Sequence, residues 1–191
     1  MTVIGIVGLP GSGKSEAAAV ARDLDVPVVT MGDVIRAACR DRGLDPATHH
    51  GEVAKALREE DGPAAIADRS LPLIEEGLET ADAVLVDGIR SDVEVDAFEA
   101  AFGEDFLLVA VEAPFETRAE RLDLRGRDAG GEEGGESLAE RDDRELSFGM
   151  GEAIDRADVT LENTDSLEAF QDRVRRLLTE GPEALAEARD R

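Results

Sequence analysis

Among 191 residues the chain has one cysteine, Cys39, which excludes an intrachain disulfide and any CxxC metal or redox pair. Lysine is almost as scarce: Lys14 and Lys55 stand alone, and arginine supplies the other basic side chains. No run of about 18 apolar residues could span a bilayer, and no basic stretch precedes the first apolar segment at Thr2. The expectation is a cytoplasmic protein in a reducing compartment, with no membrane partner. Internal repeats and a conventional interdomain linker are also missing.

What is abundant is acid. Asp and Glu number 45 against 21 Lys and Arg, a formal charge of -24, while the apolar fraction stays at 42%. Regular apolar segments exclude an acidic disordered chain. Such a charge costs compact-state stability through self-repulsion at low salt. In molar salt the Debye length falls to about 3 Å and the repulsion fades. The composition resembles that of haloarchaeal cytoplasmic proteins. It also argues against nucleic-acid binding, whose affinity comes largely from basic residues neutralising phosphates. Any phosphate site must therefore be local.

Five short β-branched runs read as strands: Thr2 to Val7, Val26 to Thr30, Ala83 to Asp87, Phe106 to Val111 and Asp158 to Glu162. Stretches of helical periodicity separate them, which predicts right-handed βαβ crossovers and a parallel sheet covered on both faces. The expected class is α/β, a three-layer P-loop NTPase fold with a five-stranded parallel sheet, forming one domain over 1–191. Within it, 32–80 reads as a helical acceptor-binding insertion, 126–140 as a lid around the glycine-rich GRDAGGEEGG, and 182–191 as a tail. Asp165 is placed to cap the last helix, with Glu168 at the capping-box position.

Gly8-Leu9-Pro10-Gly11-Ser12-Gly13-Lys14-Ser15 satisfies G-x-x-x-x-G-K-[ST] between an apolar strand and a helical run. The glycines let the backbone wrap a phosphate, and successive N–H groups and the helix N-terminus attract the anion. Lys14 is placed to reach the β and γ oxygens of ATP, and Ser15 to bind Mg²⁺. A chain that nearly avoids lysine keeps one here. Ala83 to Asp87 is an apolar strand ending in a carboxylate, as the second magnesium-organising element requires, which makes Ser15 and Asp87 the candidate metal residues.

Arg118, Arg121 and Arg125 share one helix face, opposite Glu116, Glu120 and Asp123, with no i,i+4 pairing to explain the stripe. With Arg127, Arg141 and Arg144 flanking the glycine-rich loop, the expectation is phosphate-facing arginines, Arg127 and Arg141 acting on the transferring group. After the second strand, Asp33 is placed either to accept a hydroxyl proton or to cap the following helix. Arg36 and Arg90 are candidate acceptor contacts. His49 and His50 lack metal-ligand neighbours and read as surface residues; Cys39 reads as a small core residue.

Together GLPGSGKS at Gly8, MGDVIR at Met31, VDGIRS at Val86, RDDRELSFGMG at Arg141 and ADVTLENTDSLEAF at Ala157 resemble the nucleoside and nucleotide kinases. The chain is especially similar to adenylate kinase, dephospho-coenzyme A kinase and a related archaeal P-loop family. The resemblance implies substrate-hydroxyl activation at Asp33, a substrate-phosphate contact at Arg36, and a place for Asn163 near the adenine side. The MGD segment departs from the DAD-like pattern of dephospho-coenzyme A kinases, and the lid is expanded.

The function expected is transfer of the ATP γ-phosphate, with Mg²⁺, to a nucleoside monophosphate or a dephospho-coenzyme A type acceptor. The alternative is a slow ATPase serving as a nucleotide-dependent regulatory or assembly switch. A nucleic-acid-modifying enzyme is disfavoured by charge, and homo-oligomerisation is left open.

Overall fold

The computed structural model describes residues 1–128 and 137–186, with side chains up to Asp123 and from Ser137 to Leu185. Strands β1 (Thr2–Val7), β2 (Val28–Thr30), β3 (Ala83–Asp87), β4 (Phe106–Glu112) and β5 (Val159–Glu162) form one all-parallel sheet. Their order is β2-β3-β1-β4-β5, so the first strand lies at the centre. Helices α1 (Lys14–Asp23), α2 (Met31–Asp41), α3 (Pro46–Asp61), α4 (Ala65–Leu78) and α5 (Asp92–Phe102) precede β4. Helices α6 (Phe115–Asp128), α7 (Leu138–Ser147), α8 (Met150–Asp155), α9 (Leu167–Glu180) and α10 (Glu183–Ala186) follow it.

Side chains alternate across the sheet and feed two cores, as pleating requires. Val3, Val7, Val84, Val86, Leu108 and Ala110 join a cluster with residues of α2, α3, α4, α5 and α8. Ile4, Ile6, Leu85, Val109 and Val111 join the other, against α1 and α9. On that face α1 offers Ala17, Ala18 and Ala21, small enough for α9 to bring Phe170, Val174 and Leu177 close. Phe170 is fully buried, and a side chain of that kind contributes about 1.5–3 kcal/mol when removed from water.

Local signals explain where several helices begin. Asp45 Oδ1 accepts the Ala47 N–H at 2.9 Å with Pro46 in the first turn, and Ser137 and Glu140 form a capping box. At α9 the cap is Ser166, whose Oγ accepts the Ala169 N–H at 3.2 Å. Asp165 pairs with Arg173 instead, a correction to the sequence expectation.

Two strand starts are later than expected. Pro27 has no N–H to give a ladder, and Val26 N–H is spent on Ala21 O, so β2 begins at Val28. Asp158 brackets Leu108 with its own N–H and carboxylate, and regular pairing begins one residue on. Helices α2, α3 and α4 lie between β2 and β3 and stand at the C-terminal edge of the sheet, where residues from all three line one cleft. Among the described residues no helix is long and apolar enough to cross a membrane.

Candidate functional site

The loop from β1 to α1 needs glycine for two specific reasons. Gly8 (φ 147°) and Gly13 (φ 120°) have backbone conformations that L side chains rarely adopt. A Cβ on Gly8 would strike the Val111 carbonyl, and one on Gly13 would strike Asn163 Nδ2. The loop is thus pressed against the ends of β4 and β5.

Side chains more than 100 residues away in sequence hold it there. Asn163 Nδ2 donates to Ser12 O at 2.7 Å, and Arg121 Nη2 donates to Asn163 O and Oδ1 at 3.0 and 3.1 Å. Arg118 Nη1 donates to Pro10 O at 3.0 Å, while its fork meets both carboxylate oxygens of Asp142 at 2.8 and 2.7 Å. Arg118 is 5% exposed and spent on this pair, so it braces the loop and does not face a phosphate as its helical stripe suggested. Its acid lies on another helix, beyond the reach of an i,i+4 test. Asn163, placed near the adenine side by resemblance, is 3% exposed and turned onto the loop backbone.

Lys14 Nζ donates to Gly8 O and, at 3.2 Å, to Leu9 O, keeping the ammonium within the loop. Desolvation lowers its pKa from 10.5 to about 8, and the Asp87 and Glu145 charges oppose that shift. Ser15 is exposed at the first turn of α1. Among the described residues, no cluster of three or more His, Cys, Asp or Glu could hold a metal by itself. Ser15 and Asp87 offer a hydroxyl and a carboxylate on one cleft, a donor set that fits Mg²⁺ when phosphates and water complete the coordination.

That cleft has a volume of about 340 Å³. Lys14, Arg36, Arg58, Arg90 and Arg141 line it against Asp87, Glu94 and Glu145, a local cationic excess in a chain of charge -24. Met31, Ile35, Ile66, Ile89 and Met150 supply apolar wall. Among the sequence-derived candidates, Lys14, Ser15, Arg36, Asp87, Arg90 and Arg141 therefore come together. Asp33 does not join them: it lies in the first turn of α2, exposed, with Oδ1 taking Arg36 Nε at 2.8 Å and Nη2 at 2.6 Å. Thr30, not Asp33, occupies the N-cap position. Arg127 belongs to the stretch of α6 whose side chains lie outside the described residues, as does most of the expected lid.

Four lining residues of chemical weight escaped the sequence reading, the first being Arg58 of α3. Glu94, 1% exposed, accepts Arg90 N at 2.8 Å on Oε2 and Arg58 Nη2 at 3.3 Å on Oε1; burial raises its pKa despite these partners. Its S-x-x-E spacing from Ser91 was visible and marks a helix start, where the Ser91 side chain caps α5. Glu145, buried on α7, pairs with Arg90. His50 on α3 also lines the cleft, so it is not the plain surface residue expected. Burial chiefly, then the Arg36 charge, lowers its pKa.

A second hollow of about 630 Å³ lies between Leu9 and Ser12 of the loop and the ends of β4 and β5, with Val111, Pro114 and Thr164 in its wall. Ser12 Oγ, which borders it, is buried without a hydrogen-bond partner among the described residues.

A family model described as an AAA domain matches residues 7–137, which include the whole P-loop and β1-adjacent strands. A UPF0200 protein of Halobacterium salinarum is 63% identical over 178 residues, 93% of each chain. The chain belongs to the UPF0200 family. Among solved structures, TT1252 from Thermus thermophilus superposes with a TM-score of 0.63 at 26% identity, covering 94% of this chain and 97% of that one. A shikimate kinase from Bacteroides thetaiotaomicron gives 0.55 at 18% identity over 93% and 98%, a likeness of fold. The UPF0200 chain thus has the P-loop kinase fold that its motif anticipated.

Proposed function

We propose that this protein is an ATP-dependent kinase that transfers the γ-phosphoryl group to a small, nucleotide-like acceptor. The observation that carries this reading is the shared cleft. Lys14, Ser15 and Asp87 line it together with arginines from three separate segments, Arg36, Arg58 and Arg90. A protein that only bound and hydrolysed ATP would have no need of helices α2, α3 and α4 lining the same space. The MGDVIR and VDGIRS segments, which resemble nucleotide and dephospho-coenzyme A kinases, supply Arg36 and Arg90 to that space.

In this reading the P-loop N–H groups hold the β-phosphate, and Lys14 and Arg141 offset charge on the transferring group. Lys14 must leave the Gly8 and Leu9 carbonyls to do so. Mg²⁺, held through Ser15 and Asp87, would supply charge neutralisation across the phosphates. Arg36 and Arg90 orient the acceptor in line with the γ-phosphate, and Asp33 positions Arg36. The second hollow leaves room for the nucleoside of ATP beside Leu9 and Thr164. The strongly acidic composition supports a cytoplasmic working environment of high salt.

The test is phosphoryl transfer from γ-labelled ATP in molar KCl with Mg²⁺, with nucleoside monophosphates and dephospho-coenzyme A offered separately. A labelled acceptor that Lys14→Ala abolishes is expected. Labelled free phosphate alone, indifferent to every acceptor, would replace the kinase with the ATPase switch.

A further inference from the structure

A kinase that phosphorylates a hydroxyl has a proton to dispose of, and one that phosphorylates a phosphate does not. The cleft can therefore be questioned for a free proton acceptor.

Among the described residues its carboxylates are committed elsewhere. Asp33 stands outside the lining and gives Oδ1 to both Nε and Nη2 of Arg36. Both oxygens of Glu94 are used, one by Arg58 Nη2 and one by the backbone N–H of Arg90, and the side chain is 1% exposed. Glu145 is buried against Arg90 Nη1. Asp87 stays beside Lys14 and Ser15, where it is needed for the phosphates. Besides Lys14, which is kept for the phosphates, His50 is the remaining titratable base lining the cleft among the described residues. Its ring is hydrogen-bonded to the backbone at Gly32, and burial with the Arg36 and Arg90 charges makes it a weaker base than an ordinary histidine.

The same contacts have a positive side. Each of Arg36, Arg58 and Arg90 is held by one carboxylate through one or two nitrogens, which leaves further N–H groups of each fork for an anion. Arg141 lines the cleft with no ion pair or side-chain hydrogen bond among the described residues. Oriented guanidinium forks are suited to a phosphate dianion, and the apolar wall from Met31 to Met150 suits an organic body attached to it.

We infer that the acceptor attacks through an oxygen that is already anionic, that of a phosphate monoester, so the product is a phosphoanhydride and not a phosphate ester. The inference rests on the kinase reading above and narrows it. A bond forms between the acceptor's phosphate oxygen and the γ-phosphorus of ATP. The bond from that phosphorus to the β,γ-bridging oxygen breaks, and ADP leaves with the electron pair. No proton has to be taken from the nucleophile. Asp33, Glu94 and Glu145 are positioning residues that aim arginines.

The experiment uses the full chain in molar KCl with Mg²⁺ and γ-labelled ATP. It offers AMP, CMP, GMP and UMP as monoesters, and adenosine and dephospho-coenzyme A as hydroxyl acceptors without a monoester. Label is expected in the nucleoside diphosphate of the acceptor's own base, CDP from CMP for example, and is released from it by hot acid. Asp33→Asn and His50→Gln should raise the acceptor KM while leaving kcat within about threefold, because neither group takes the proton. An acid-stable labelled ester, with kcat lowered about a hundredfold or more by either substitution, would overturn the inference and leave the kinase intact. Free phosphate alone with every acceptor would overturn both, and a Lys14→Ala control separates that outcome from inactive protein.

Discussion

Arg118 of α6 and Asp142 of α7 meet fork to fork, Nη1 to Oδ1 at 2.8 Å and Nη2 to Oδ2 at 2.7 Å, while the same guanidinium holds the Pro10 carbonyl of the P-loop. Both side chains are nearly buried, so removing one charge strands the other away from water. Asp142→Asn should cost about 3 kcal/mol in chemical unfolding and weaken nucleotide binding with it. Replacing both residues by apolar ones, Arg118→Met with Asp142→Leu, should recover most of that stability. A single variant that unfolds like the parent protein would remove this pair from the account of how the loop is held.

Lys14 makes phosphate binding a proton-linked event. Its pKa is lowered to about 8 by desolvation, and an arriving phosphate restores the preference for the charged form. Near pH 8.5, binding of pyrophosphate should take up protons, read as an enthalpy that changes with the ionisation enthalpy of the buffer. Lys14→Ala should abolish that dependence. Without ligand the sign is fixed by a folded pKa below the ordinary 10.5: this group's contribution makes stability rise as pH climbs from about 8 towards 10.5.

The opposite sign applies to Glu94. Its folded pKa is raised by burial above the ordinary 4.5, so the unfolded chain gives up the proton first. Its stabilising contribution is complete below 4.5 and lost as pH rises through the folded value. In Glu94→Gln that loss is absent, and the stability of the parent relative to the variant should fall with rising pH across this window. A difference independent of pH would mean that Glu94 ionises as easily in the fold as outside it.

Glu145 should matter more to the acceptor than to ATP, since it holds Arg90 directly and touches Lys14 only through its charge. It holds Arg90 from α7, and Glu145→Gln keeps the shape while weakening that hold. An acceptor KM raised about tenfold is expected, with the ATP KM and kcat nearly unchanged. Parallel loss in both substrates would point to general disturbance of the site.

The motif-bearing part of the site was legible because it is contiguous: Gly8 to Ser15 form one loop, and Asp87 ends a recognisable strand. Arg36, Arg90 and Arg141 were also found, from spacing and resemblance. Arg58 was not, nor were the acids that hold Arg58 and Arg90, since Glu145 is 55 residues from Arg90 and Glu94 is 36 from Arg58. Nothing local marks either acid as part of the cleft in so acidic a chain. His50 was hidden for a similar reason, because its loop-like neighbours gave no sign that α3 would turn it onto the cleft. Asp33 illustrates the converse: a carboxylate at the expected spacing is engaged by the arginine one helical turn away.

The hydrogen bond from Asn163 to the Ser12 carbonyl joins positions 151 residues apart. During synthesis Ser12 leaves the ribosome long before Asn163, and until β5 docks at the sheet edge the phosphate loop lacks one of its braces. A nascent chain halted before β5 should therefore be unable to retain nucleotide firmly, although its entire binding motif has already been made. Ligand affinity then becomes a late checkpoint, acquired only once the last strand is in place.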